Sequence, residues 1–214
     1  MPIRRDVHRS AGETPAPANL ERVSERWGAA SRANVPPFHV MDLLAAATRR
    51  QRTHGDAVDL LAGQPSTGAP RPVREAAARL LESGRPLGYT PATGILELRE
   101  AIAGHHKRAH GIEVDPDDVI VTTGSSGGFL LAFLAAFEHG DTVAMARPGY
   151  PCYRNVLAAL GCEVVEVPTG PATRFQPTVE QLAALHEERA AAGRPLRGLV
   201  VASPANPTGT MLLP

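Results

Sequence analysis

The chain has 214 residues, 43% of them apolar and 21% charged, and its 22 basic and 22 acidic side chains leave a formal net charge of zero. This is the composition of an ordinary globular protein, and neutrality excludes a surface built to attract nucleic acid or an anionic membrane. The two cysteines, Cys152 and Cys162, form no disulfide or metal pattern and favour a reducing, cytoplasmic setting.

Residues 1–35 predict a mobile lead-in, because they are rich in proline, alanine and polar side chains. They lack the apolar stretch that follows the basic residues of a secretory signal. After them, helical spacing of apolar residues with a glycine stop predicts three helices, and a proline opens the second one. These helices are expected at 41–55, 72–84 and 95–111, with one short strand at 57–61.

From residue 118 onward, apolar strands alternate with helices. This alternation predicts an α/β protein in which a parallel sheet is covered by helices on both faces. The longest apolar run, at 129–137, is far too short to span a membrane, so a buried helix is expected there. The strands are expected at 118–123, 142–146, 162–167 and 197–203, and the helices at 125–140, 150–161 and 178–193.

The segment "VIVTTGSSGG" (119–128) puts a Gly/Ser turn between a strand and a helix. Free backbone N–H groups at a helix start, with the helix dipole behind them, suit a phosphate, and Ser125 and Ser126 add hydroxyl donors. The turn has neither the lysine of a P-loop nor the glycine spacing of a dinucleotide fingerprint. A tight turn with a serine cap is the structural alternative.

Two more polar loops follow strands, in "ARPGYPCY" (146–153) and "SPANPTG" (203–209). They set Tyr150 and Asn206 at the carboxyl ends of strands, where open α/β sheets bind ligands. A tyrosine there can stack on a flat aromatic ligand, and an asparagine amide can donate a hydrogen bond to a ligand oxygen. The alternatives are a tyrosine packed on its own loop and a plain Asn-Pro turn, which also permits a cis peptide.

Taken together and in order, five motifs resemble the class I/II, fold-type I aminotransferases that depend on pyridoxal 5'-phosphate. The resemblance covers about residues 36–214 and implies a three-layer αβα fold with a mostly parallel sheet, present here as an incomplete portion. It implies a small-domain segment at 36–70 and the N-terminal part of the cofactor-binding large domain at 71–214. The motifs are "GQP", "GYTPATGILELREAI", "VIVTTGSSGGF", "GDTVAMARPGYPCY" and "SPANPTG".

The resemblance also implies roles for six residues, five toward the cofactor and one toward the substrate. In chain order these are Gly63 beside the substrate carboxylate, Tyr89 reaching the cofactor phosphate of the partner subunit in a homodimer, Ser125 and Ser126 at the phosphate-binding turn, Tyr150 stacked on the pyridine ring, and Asn206 hydrogen-bonded to the cofactor's phenolic oxygen.

The sequence departs from the family in its catalytic residues. The family uses a lysine for the Schiff base, an aspartate at the pyridinium nitrogen and an arginine for the substrate carboxylate, all after the "NPTG" loop. The only lysine here is Lys107, in the charged run "HHKRAH" (105–110), which predicts an exposed helix end that suits the dipole better than a metal site at His106 and His110. No catalytic residue is therefore expected in this chain, which is interpreted as the N-terminal part of a larger enzyme, inactive alone and open to complementation by a C-terminal fragment.

The activity implied by the resemblance is amino-group transfer between an amino acid and a 2-oxo acid. Two alternatives stay open: a pyridoxal-phosphate-dependent β-lyase relative, and a non-catalytic remnant or regulatory protein of the same fold. Some relatives carry DNA-binding modules, but the zero net charge and the short polar lead-in speak against a regulator of that kind. Neither nucleic acid nor a membrane is an expected partner.

Overall fold

The computed structural model describes residues 28, 30–58, 60, 63 and 65–213. The lead-in prediction falls on residues that lie almost entirely outside this part. In the described residues the helices are α1 (His39–His54), α2 (Arg71–Glu82), α3 (Leu96–His110), α4 (Gly124–Ala136), α5 (Pro151–Ala159) and α6 (Val179–Ala191), and the strands are β1 (Thr142–Arg147), β2 (Glu163–Pro168) and β3 (Leu196–Val200). Short 3-10 turns occupy Ser31–Ala33, Pro116–Asp118 and Pro171–Thr173.

Helices α1 and α3 end where glycine permits a left-handed residue. Gly55 follows α1 at φ 72°, and its N–H donates to the Gln51 carbonyl at 3.0 Å. Gly111 closes α3 in the same way at φ 69°. Only glycine adopts this conformation without a steric penalty, so the predicted helix stops are confirmed.

The three strands form a parallel sheet in the order β2-β1-β3, which confirms the predicted α/β class. Strand β1 lies in the centre, and its Val143 and Ala144 are fully buried. Helices α4 and α5 pack on the sheet through Phe133 and Leu157, which form a core cluster with Val143 and Cys162. The central strand thereby holds both the core and, at its carboxyl end, the loop that carries Tyr150.

The strand expected at 118–123 is not paired in the structure. Residues 119–122 are extended, but within the described residues they join no sheet, and the Val121 N–H donates instead to the Thr93 carbonyl at 3.0 Å. A strand needs a neighbour to satisfy its backbone groups, and β1 already has β2 and β3 on its two sides. Residues 57, 58 and 60 are likewise not in a strand, and 59 and 61 lie outside the description.

Helix α4 is buried on one face only, which corrects the expectation of a buried helix. Phe133 is 8% exposed, whereas Leu130, Leu131 and Leu134 are 42%, 53% and 56% exposed. The described elements that contact α4 cover the Phe133 side, and an apolar outer face remains. Across the described segments no helix is both long and apolar enough to cross a bilayer.

Candidate functional site

A shallow cleft opens at the carboxyl ends of β1 and β3. Parallel strands end at the same edge of a sheet, so the loops after β1 and β3 face each other there. The lining includes Met145, Tyr150, Tyr153, Gln176, Val200 and Asn206. The structure thus brings Tyr150 and Asn206 to one cavity, on the rim where the sequence puts them.

Tyr150 is half-buried and stands directly before α5. Its ring packs edge-on against Tyr153 and Phe38, with centroids 5.4 and 6.2 Å away. Tyr153 in turn lies edge-on to Phe129 at 4.8 Å. Burial, with smaller contributions from Cys152 and Tyr150, raises the pKa of Tyr153, so its phenol stays neutral. Tyr150 therefore packs on Tyr153 of α5 and on Phe38 of the chain before α1, and its stacking role stays a prediction.

The loop before Tyr150 requires glycine at position 149. A Cβ there would stand 2.5 Å from the Ala146 carbonyl oxygen and 3.2 Å from the Met145 Cε. The first neighbour is backbone and cannot rotate away, so the loop folds this tightly only without a side chain.

Asn206 is exposed in the loop after β3. The Ala205 N–H donates to the Thr210 carbonyl at 2.9 Å, and the Gly209 N–H donates to the Ala205 carbonyl at 2.7 Å. Gly209 has φ 68°, and the Asn206–Pro207 peptide is cis. The loop is therefore a closed turn that presents the asparagine amide at the mouth of the cleft.

Gln176 is the cleft residue that has no signature in the sequence. It is 6% exposed, and its Nε2 donates to the carbonyls of Ala202 at 3.3 Å and Thr210 at 3.1 Å. Those carbonyls lie 26 and 34 positions away, so no local pattern could indicate the contact. Both hydrogen-bond donors of this buried amide have partners, as is usual for buried polar groups, so its position is fixed.

The Gly/Ser turn lies beside the start of α5. Ser125 and Ser126 are exposed in the first turn of α4, and the Ser126 Oγ is 3.5 Å from the Sγ of Cys152, two residues beyond Tyr150. Thr123, the N-cap of α4, makes no side-chain capping hydrogen bond in the described structure. The Gly124 N–H donates to the Thr122 carbonyl at 2.8 Å, and the next N–H groups of the helix receive no side-chain cap from Thr123. This helix start lies at the same end of the sheet as the cleft, beside Cys152.

Four of the six implied residues do not line the cleft: Ser125 and Ser126, described above, and Tyr89 and Gly63. Tyr89 is fully exposed, and its implied contact belongs to a second subunit. Gly63 is exposed, with no atom of the described chain within 4 Å of the position its Cβ would take. Both roles stay predictions.

Lys107 is 67% exposed, and its Nζ lies 2.6 Å from the Glu113 carboxylate, which confirms its predicted orientation toward solvent. The neighbouring rings of His105, His106 and His110 have centroids 5.9–6.0 Å apart. Among the residues that the structure describes, no three metal-binding side chains converge on a common point.

Several known proteins resemble this chain. Residues 55–214 match the family model described as aminotransferase class I and II. The Valine--pyruvate aminotransferase of Mycobacterium tuberculosis is 65% identical over 185 residues, which are 86% of this chain and 46% of the relative. The aspartate/prephenate aminotransferase of Thermus thermophilus is 38% identical over 82% of this chain and 44% of its own length.

Solved structures give the same result. A crystal structure of an aminotransferase from Mycobacterium tuberculosis has a TM-score of 0.78 and 65% identity, over 87% of this chain and 46% of that one. The Thermus thermophilus aspartate aminotransferase with maleate has a TM-score of 0.74 and 36% identity, over 84% and 46%. The chain spans under half the length of these relatives. On the family match and the shared fold, the chain belongs to the class I and II aminotransferases.

Proposed function

We propose that this chain is part of a pyridoxal-phosphate-dependent aminotransferase that moves an amino group between valine and pyruvate. The observation that carries the proposal is the 65% identity with the Valine--pyruvate aminotransferase of Mycobacterium tuberculosis. The relative that is 38% identical acts on other substrates by its name, so the higher identity favours valine and pyruvate. The enzyme is placed in the cytoplasm.

The residues of the cleft fit pyridoxal 5'-phosphate. The cleft lies at the carboxyl ends of β1 and β3, where open α/β sheets bind ligands. It offers an aromatic wall at Tyr150 and an amide at Asn206. The uncapped helix start at Ser125 and Ser126 lies at the same end of the sheet. An aromatic ring bearing a phenolic oxygen and a phosphate needs these three kinds of partner.

Each group of this chain has a separate task in the proposal. The first-turn N–H groups of α4, with Ser125 and Ser126, hold the phosphate by hydrogen bonds and the helix dipole. Tyr150 stacks on the pyridine face, and the Asn206 amide donates to the phenolic oxygen. When bound, the cofactor supplies the electron sink for chemistry at the amino acid's α-carbon.

The lysine of the family's reaction has no counterpart at the cleft. Lys107 lies exposed on α3, paired with Glu113. We propose that the lysine, and the arginine that the family uses for the substrate carboxylate, come from polypeptide outside these 214 residues. A homodimer in which Tyr89 reaches the partner's cofactor completes the site.

A chimera tests the proposal. This chain replaces the matching 185 residues of the Mycobacterium tuberculosis relative, and transfer from valine to pyruvate is measured beside cofactor content. We expect transfer within about tenfold of the parent, lowered at least tenfold by Asn206→Ala, the loss of one hydrogen bond. The exposed Asn34→Ala is the matched control.

Each failure of the chimera has a separate meaning. A folded chimera without cofactor overturns the cofactor site. A chimera that binds the cofactor but does not transfer the amino group of valine contradicts the proposed substrate. Release of ammonia and a 2-oxo acid, without an acceptor, from an amino acid that loses a leaving group from its β-carbon indicates the β-lyase alternative instead.

A further inference from the structure

Gln176 clamps the loop that carries Asn206. Its Nε2 donates to the carbonyl of Ala202, before the loop, and to the carbonyl of Thr210, after it. One buried amide therefore holds both ends of the segment 203–209 together. The side chain is 6% exposed, so water does not compete for these two donors.

The same Thr210 carbonyl accepts a second hydrogen bond, from the Ala205 N–H at 2.9 Å. Ala205 is the residue immediately before Asn206. Gln176, Thr210 and Ala205 thus form a short path of direct hydrogen bonds that ends one residue from the proposed cofactor ligand.

The backbone before Gln176 is unusual. Arg174 and Phe175 have φ 54° and 56°, a left-handed conformation that non-glycine residues adopt rarely, least of all as a pair. The Phe175 N–H donates to the Gly170 carbonyl at 2.8 Å, which helps to hold this turn. Such conformations persist where the surroundings fix them, and they cluster at functional sites. Here the pair precedes the residue that enters the cleft.

We propose that Gln176 is a positioning residue: through Thr210 and Ala205 it fixes the Asn206 amide for its hydrogen bond to the cofactor's phenolic oxygen. This rests on the proposed function. We therefore expect Gln176 to favour binding of a ligand that carries the phenolic oxygen. Replacing Gln176 leaves Tyr150 and the start of α4 unchanged.

The test uses the chimera described above, with its native Gln176 as the wild type, and two probes, pyridoxal 5'-phosphate and its analogue without the 3-hydroxyl group. We expect the wild type to prefer pyridoxal 5'-phosphate by about tenfold, the worth of one hydrogen bond. Gln176→Met keeps the length and removes the donors, so it should lose this preference while binding the analogue as before. Gln181→Met is the matched control, because Gln181 also donates to a carbonyl, that of Pro168 at 3.0 Å.

Amide hydrogen exchange separates the clamp from the cofactor. Exchange at Ala205 should rise about tenfold in Gln176→Met and in the isosteric Gln176→Glu, with Val143 unchanged as evidence of folding. Unchanged exchange at Ala205, or equal loss of affinity for both probes, overturns the role proposed for Gln176. If the wild type still binds the cofactor in that case, the proposed function is not affected. A wild type that binds neither probe overturns the proposed function. In that case, faster amide exchange at Ala205 in the two Gln176 variants still supports the role of Gln176 in holding the loop.

Discussion

The exposed face of α4 predicts that the isolated chain associates with itself. Leu130, Leu131 and Leu134 are 42%, 53% and 56% exposed. Fully burying a leucine contributes about 1.5–3 kcal/mol, so roughly half of that, about 1 kcal/mol per residue, remains available on each. The three together leave about 3 kcal/mol, a large share of the 5–15 kcal/mol that typically stabilises a folded domain.

The perturbation is the triple variant that replaces these leucines with glutamine. Because every 1.4 kcal/mol changes an equilibrium constant tenfold, about 3 kcal/mol predicts self-association weaker by roughly 100-fold. Light scattering across a concentration series, together with binding of an exposed-hydrophobe dye, measures the effect. Leu157→Gln, which puts an amide into the core at a fully buried position, is the opposite control and should increase dye binding.

Two results would refute this reasoning. The first is a wild-type chain that stays monomeric at high concentration, melts sharply and binds no dye. The second is a triple variant that associates as strongly as the wild type, which would show that a different surface mediates the association. The first result would also favour the self-sufficient, non-catalytic alternative over the enzyme.

Three further predictions concern packing, charge and the lone lysine. Gly198→Ala places a Cβ 2.5 Å from the Phe137 ring and should cost about 1–3 kcal/mol in urea unfolding; no recovery with Phe137→Ala would contradict the clash. Hydrogen bonds, first from Arg194 and then from Arg189, lower the pKa of Glu163, so its stabilisation is present above the ordinary carboxyl pKa of about 4.3 and is lost as pH falls through and below it. Glu163→Gln should flatten that acid loss in a series of urea midpoints, and an unchanged profile would show that the pairs contribute nothing. Borohydride reduction with pyridoxal 5'-phosphate should label Lys107 only substoichiometrically, and stoichiometric labelling with a matching absorbance band would contradict its exclusion from the site.

Local sequence signals predicted the helices well. Glycine stops placed the ends of α1 and α3, and the strands expected at 142–146 and 162–167 agree with β1 and β2 within one residue. The helix expected at 125–140 ends earlier, because α4 stops at Ala136. These features depend on backbone conformation and apolar spacing within one segment. A reader of the sequence can assess them without knowing what packs against that segment.

Pairing and burial could not be predicted in the same way. Residues 119–122 have the apolar pattern of a strand, yet a strand forms only beside a neighbour, and the described chain offers none there. Helix α4 reads as buried because its composition is apolar all round, but the described elements cover one side. In both cases the sequence indicates an apolar segment, but whether that segment is paired or buried depends on the elements that pack against it.

The candidate site also contains residues that could be predicted from local sequence and one that could not. Tyr150 and Asn206 were predictable because a polar residue after a buried strand must lie on one rim of a parallel sheet. Gln176 was not, since its two acceptors lie far along the chain and its segment, "RFQPT", shows no motif.

The strand order has a consequence for synthesis of the protein. Val143 pairs with Val164 on one side and with Gly198 on the other, so β1 and β2 can join while β3 is still to be made. At about 5–20 residues per second, β3 follows seconds later, and the "NPTG" loop follows β3. Until then the ribosome carries a two-strand sheet with an open edge and half a pocket. Chaperones that shield nascent chains would meet this protein at that stage, with one edge of β1 unpaired and Tyr150 without the Asn206 loop opposite it.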